Sequence, residues 1–155
     1  MNPKFAALVE DLAPKLELLL ASGPYRKSQL PRAVPESGVY PFSIGDDHLY
    51  VGRSNNIRRR YALHTRPGSP HNQATLAFLI ARHETNNLRA AYRTKGGRAW
   101  LVQQPEFLTA FQSAKEGVGQ MDFRFVEEND PNRQALLEIY AAVALDAKYN
   151  DFHNH

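Results

Sequence analysis

The tightest constraint on this chain is a pair of short β-type runs, Gly38–Ile44 and His48–Gly52, on either side of Gly45-Asp46-Asp47. Aromatic and branched residues around a glycine and two aspartates predict a β-hairpin. With a turn of three residues, 45–47, Ile44 pairs with His48, Phe42 with Tyr50 and Tyr40 with Gly52. Side chains alternate along a strand, so the even-numbered residues share one face and Tyr40 lies diagonally across from Tyr50. Two tyrosines on a sheet face serve a core as readily as a site. A third run, Met121–Val126, alternates with the same period, as a half-buried strand does.

Helical patterns surround these strands. Residues 3–21 place Leu8, Leu12, Leu16 and Leu19 on one stripe, with a kink expected at Pro14. Residues 22–37 contain three prolines and predict a connector. Asn55 or Asn56 can cap a helix that ends before Pro67-Gly68. Further helices are expected over Gln73–His83 and Glu106–Lys115, with a loop at 84–99 between them. Asp130-Pro131 marks the start of the last helix, which runs to about Ala147. Residues 151–155 form a tail.

Charge is unevenly distributed. From His48 to Pro105 there are ten bases (Arg53, Arg58, Arg59, Arg60, Arg66, Arg82, Arg89, Arg93, Lys95, Arg98) against one acid, Glu84, a segment of +9. The rest of the chain holds nine bases and fifteen acids, or −6, which leaves +3 overall. A concentrated basic segment fits a polyanionic partner or a solvated basic face. The absence of cysteine excludes disulfides, thiolate zinc sites and cysteine nucleophiles. No apolar run approaches the roughly 20 residues a bilayer requires, so no membrane partner is expected. The charged N-terminal stretch does not resemble a signal peptide, and a cytoplasmic protein is expected. The six histidines lack the spacing of a helical zinc site, and no nucleophile elbow or phosphate-binding glycine loop is present.

Two helices carry candidate chemistry. At about 100° per residue, Ile57, Arg60, Tyr61 and His64 occupy one arc. Packing of Ile57 and Tyr61 draws Arg60 and His64 inward, where a charge needs a partner. In the last helix, ALLEIYAAVAL from Ala135 to Leu145, Glu138 is the one charge. Its neighbours one and two turns away, Ala135, Ala141, Ala142 and Leu145, are mostly small. That arrangement suits a metal ligand, a partner for a buried arginine, or a snorkelling carboxylate.

In combination these residues resemble the GIY-YIG nucleases. Gly38-Val39-Tyr40, nine residues, then Tyr50-Val51-Gly52 resembles the family's two signature strands, with a gap a residue or two shorter than usual. Arg60, tenth after Tyr50, falls where the family keeps its catalytic arginine, and His64 matches a histidine of homing and restriction members. Glu138 in LLE, with Asn150 twelve residues later in Tyr149-Asn150, resembles the metal-binding glutamate and its asparagine. The likeness covers residues 38–64 and 121–150; residues 1–37 and an insertion at about 65–120 fall outside it.

The resemblance implies an α+β fold. A small three-stranded antiparallel sheet would be flanked by helices, with an N-terminal helical extension (1–37) and a helical insertion inside a nuclease domain (38–150). It also implies a metal-dependent endonuclease acting on nucleic acid, with double-stranded DNA the expected substrate. One Mg²⁺ or Mn²⁺ would be held by Glu138, with water and phosphate oxygens completing its shell. Arg60 would neutralise charge on phosphorus, and Asn150 would orient Glu138 or a phosphate. Tyr40 or Tyr50 would help deprotonate water, with Arg60, His64 and the metal lowering a phenol pKa that is ordinarily near 10. Arg53, Arg58, Arg59, Arg89, Arg93, Lys95 and Arg98 would bind the nucleic-acid backbone. Cutting both strands with one site needs a homodimer or two sequential nicks. Alternative readings are a non-cutting nucleic-acid-binding module and a partner-binding protein that dimerises through its N-terminal helix.

Overall fold

The computed structural model describes residues 1–27, 29–86 and 97–152. In chain order the elements are α1 (Pro3–Val9), α2 (Leu12–Ala21), β1 (Gly38–Ile44), β2 (Asp47–Ser54), α3 (Ile57–Thr65), α4 (Thr75–Glu84), α5 (Arg98–Leu101), α6 (Pro105–Gly119), β3 (Asp122–Phe123), β4 (Val126–Glu127) and α7 (Pro131–Ala144). They build an α+β architecture with one small antiparallel sheet. The chain divides into two units, Met1–Arg60 with Met121–His155, and Tyr61–Gln120, with the boundary inside α3. No described helix is long and apolar enough to cross a membrane.

In the first unit, Tyr40 pairs with Gly52 and Phe42 with Tyr50, the register expected from the alternation. Near the turn the structure departs from it. Ile44 faces Asp47 and Ser43 faces His48, so the loop holds two residues, Gly45-Asp46, and not three. Gly45 has φ +60°. A positive angle at the first loop position is what a type II′ turn requires, and such a turn matches the twist of the strands. A bulge leaves Leu49 as an extra residue in β2. It compensates for the shorter loop and keeps Tyr50 opposite Phe42.

β3 and β4 pair with β1 in one unbroken register, Phe42 with Phe123 and Val39 with Val126. They are two ladders of the single strand expected at Met121–Val126. β1 is therefore central, flanked by β2 and by β3 with β4. Its odd-numbered face places Val39 with Val51 and Val126 against Leu19, Leu137, Ala141 and Ala142. Each large aliphatic buried there contributes about 1.5–3 kcal/mol. The even-numbered face is aromatic: Phe42 and Phe123 have ring centroids 5.0 Å apart, and Tyr40 lies 5.5 Å from Phe123.

The N-terminal helix breaks at Glu10–Asp11, and not at Pro14 as expected. Pro14 sits in the first turn of α2, where its missing N–H breaks no helical bond. The break is held from outside, because Asp11 is ion-paired to Arg133 of α7.

The second unit contains the rest of α3 with α4, α5 and α6. Phe78, Phe107 and Phe111 form its aromatic core. α6 runs four residues beyond the expected Lys115, because the buried stripe Phe107, Phe111, Ala114 continues to Val118. Helix α5, Arg98–Leu101, begins within the last two residues of the loop expected at 84–99.

Candidate active site

Four elements of the first unit position the candidate residues. β1 presents Tyr40; β2 presents Tyr50 and Arg53; α3 presents Arg60; and α7 presents Glu138. Asn56 caps α3, its side-chain oxygen accepting from the Arg59 N–H at 3.1 Å, so Arg60 stands in the first turn. Asp130 caps α7 in the same way, accepting from the Arg133 N–H at 2.9 Å, and Pro131 follows at the first helical position. Leu137, Ala141 and Ala142 are buried in the core, which brings Glu138 to the margin of that stripe with its side chain 25% exposed.

Two polar side chains fix the frame. Gln134, one turn before Glu138 and buried, donates through Nε2 to the Glu128 carbonyl at 3.0 Å and the Ser54 carbonyl at 3.4 Å. It ties α7 to the end of β2. Asn150 mimics a strand residue: Oδ1 accepts from the Val51 N–H and Nδ2 donates to the Val51 carbonyl, each at 2.8 Å. Backbone bonds from Lys148 to His48 and from Tyr149 to Leu49 continue this edge. The bulged strand that carries Tyr50 is thus held from outside the sheet.

At the centre, Tyr40 is 1% exposed and hydrogen-bonded to Arg60. Its ring lies against the Gly52 backbone: a Cβ at position 52 would stand 2.5 Å from Tyr40 Oη. Only glycine allows that approach. Burial pushes the Tyr40 phenol above its ordinary range, the neighbouring Tyr50 adds to the rise, and Arg60 opposes it without prevailing. Tyr50 retains a partly exposed surface. Its phenol is raised by burial first and by Glu138 second, again against Arg60. Burial likewise raises the Glu138 carboxyl, with Arg53 opposing. Arg53 Nε lies 3.7 Å from Glu138 Oε1. Two phenols, a guanidinium and a carboxylate from four elements therefore sit within one another's fields.

The structure brings together Tyr40, Tyr50, Arg60 and Glu138, and it alters several expected roles. Lowered phenol pKa values were expected; both are raised, because desolvation outweighs the arginine. Asn150 bonds the Val51 backbone and makes no hydrogen bond to Glu138, so it positions β2 and does not orient the carboxylate directly. His64 is fully buried, one turn beyond Arg60 in the second unit, and presents no surface to a substrate. Arg58 donates through Nη2 to the carbonyls of Pro31 and Arg32, anchoring the connector. Arg59 is exposed. Arg98, in the second unit, lies over the Phe78 ring at 4.6 Å. Arg89, Arg93 and Lys95 lie outside the described residues.

Sequence reasoning missed Gln134 and the pairing of Arg53. A glutamine four residues before Glu138, directly ahead of the apolar run that begins at Ala135, was the available signal for the first. Arg53 gave none, because a strand residue's partner across the sheet depends on helix placement.

Among the described residues, no three His, Asp or Glu side chains gather as a ready-made metal cage. Glu138 is a partly exposed carboxylate with small neighbours and a single loosely paired cation. That donor set suits Mg²⁺ or Mn²⁺, which binds through one or two carboxylates and fills its shell with water and phosphate oxygens. Comparison of the chain with family models, with curated proteins and with solved structures finds no match.

Proposed function

We propose that the chain is a divalent-metal-dependent endonuclease of the GIY-YIG type that hydrolyses phosphodiester bonds in nucleic acid, with double-stranded DNA as its substrate class. The observation that carries this reading is the convergence of Tyr40, Tyr50, Arg60 and Glu138 from four separate elements, with each phenol feeling both the arginine and the carboxylate. Polar groups of this kind are costly to bury together, and groups perturbed by burial and by specific charged neighbours gather at functional sites.

Each residue then has a distinct task. Arg60, held by Tyr40, offsets the negative charge that grows on the phosphoryl oxygens. Tyr40 is buried and acts as a positioning residue for that guanidinium. Tyr50 is the phenol with access to solvent. Its raised pKa keeps it protonated at neutral pH, so it orients the attacking water by hydrogen bonding. Glu138 would hold Mg²⁺ or Mn²⁺, which supplies Lewis-acid stabilisation of the phosphoryl group and the leaving oxygen. Arg59 is exposed, and Arg53 is half-exposed; both can reach phosphate.

Supercoiled plasmid incubated with Mn²⁺ tests the proposal, read as nicked against linear product. The expected result is metal-dependent cutting that falls at least about a hundredfold in Glu138→Gln and in Arg60→Ala while both variants keep a cooperative melt. Undiminished cutting by both variants overturns the assignment.

A further inference from the structure

We propose that Arg53 is a displaceable counter-ion of Glu138, one that makes metal binding at this carboxylate depend on an arriving phosphate. The inference rests on the nuclease reading above, and it concerns when the site becomes competent rather than what it does.

The pair has the geometry of a contact built to exchange. Arg53 Nε and Glu138 Oε1 stand 3.7 Å apart, beyond hydrogen-bond reach. Arg26 and Asp122 in the same unit close to 2.6 Å and do form that bond. The Arg53 side chain is 45% exposed, so its guanidinium can turn outward at little cost. Its backbone is held, because Arg53 pairs with Val39, one pair from the end of the β1–β2 ladder, and Val39 pairs in turn with Val126 of β4. A long, half-exposed cation on a paired strand therefore stands beside a carboxylate whose side chain is only 25% exposed.

A divalent cation and the guanidinium compete for the same oxygens, and each repels the other. A phosphate resolves the conflict. Arginine binds phosphate oxygens through a planar fork, usually more favourably than it holds one carboxylate oxygen at long range. Transfer of Arg53 from Glu138 to a phosphate frees the carboxylate as substrate docks. By linkage, phosphate then strengthens metal binding, and metal strengthens phosphate binding by the same factor. With no substrate bound, Arg53 keeps the carboxylate compensated.

The test is titration of Mn²⁺ alone into the full chain, into Arg53→Gln and into Glu138→Gln, with bound metal read by electron paramagnetic resonance. Arg53→Gln is expected to bind Mn²⁺ about fivefold more tightly than the parent, the upper end for a solvent-exposed pair. The gap should narrow at high salt, which screens exposed charges. The same variant should bind duplex DNA more weakly, with a log–log salt slope shallower by about one. Unchanged or weaker Mn²⁺ binding by Arg53→Gln, beside lost binding by Glu138→Gln, overturns the role of Arg53 and leaves the nuclease reading standing. Equal Mn²⁺ binding by the parent and Glu138→Gln overturns both.

Discussion

The two units accommodate buried charge by opposite means. In Tyr61–Gln120, Lys115 is 1% exposed and forms no ion pair among the described residues. Its ammonium donates to the carbonyls of Pro67 at 2.5 Å and Ser69 at 3.0 Å, with the Phe111 ring 4.3 Å away. Fixed neutral dipoles and a ring face compensate it, and in doing so they stitch the 67–69 turn to α6. In the first unit, Glu138 is compensated by a loose cation, Arg53, and its charge is felt by the partly exposed Tyr50 phenol. A charge saturated by backbone oxygens organises a fold. A charge left half-compensated at the solvent border can still bind something else.

The harshest way to break this contrast is to remove Lys115. Lys115→Ala leaves two carbonyls without their donor and a cavity where the stem lay, so it should cost about 2–4 kcal/mol in urea unfolding. Lys115→Met retains most of the stem and should cost less. If the alanine variant is as stable as the parent, Lys115 does not organise the 67–69 turn against α6.

Next in size is Gly52→Ala. The added methyl would lie 2.5 Å from Tyr40 Oη and 2.6 Å from Cζ. The ring must shift, at a cost of about 1–3 kcal/mol, and Arg60 loses the partner that aims it. Stability and plasmid cutting should fall together. A stable variant with full activity would show that the packing of Tyr40 on Gly52 does not set the position of Arg60. Asn150→Ala is milder, because two hydrogen bonds to Val51 at a sheet edge are worth about 1–2 kcal/mol together. Hydrogen exchange at the Val51 amide should quicken; an unchanged rate would mean that the edge is held by the backbone bonds of Lys148 and Tyr149 alone.

The contrast also separates what could be read from residues alone from what could not. Period-two alternation predicted Tyr40 opposite Gly52 because a one-residue slip would reverse every side chain of a buried strand. Caps at Asn56 and Asp130 were legible because their chemistry is local. The bulge at Leu49 was not, since it trades one loop residue against one strand residue and leaves the pattern beyond it intact. The break at Glu10 was not either, because the ion pair between Asp11 and Arg133 joins segments far apart in sequence. Arg60 and Glu138 stood out as charges on apolar faces. The partners that decide their behaviour, Tyr40 for one and Arg53 for the other, depend on how α3 and α7 meet the sheet. The raised phenols follow from the same cause, since burial is a property of the assembled fold.

The smallest effect bears most directly on the contrast, because it asks whether Glu138 is under-compensated at all. Burial raises its carboxyl above the ordinary range even with Arg53 beside it. Below that range both the folded and the unfolded chain keep the proton, and the group contributes nothing to stability. As pH rises, the unfolded chain releases its proton first, and the folded state is progressively disfavoured until pH passes the raised value; the full penalty persists above it. Glu138→Gln should therefore melt at a higher temperature than the parent at pH 7 in metal-free buffer, and the two should converge near pH 3. A variant less stable than the parent at pH 7 would mean that the attraction of Arg53 exceeds the cost of burial. The first unit would then treat its buried charge much as the second treats Lys115.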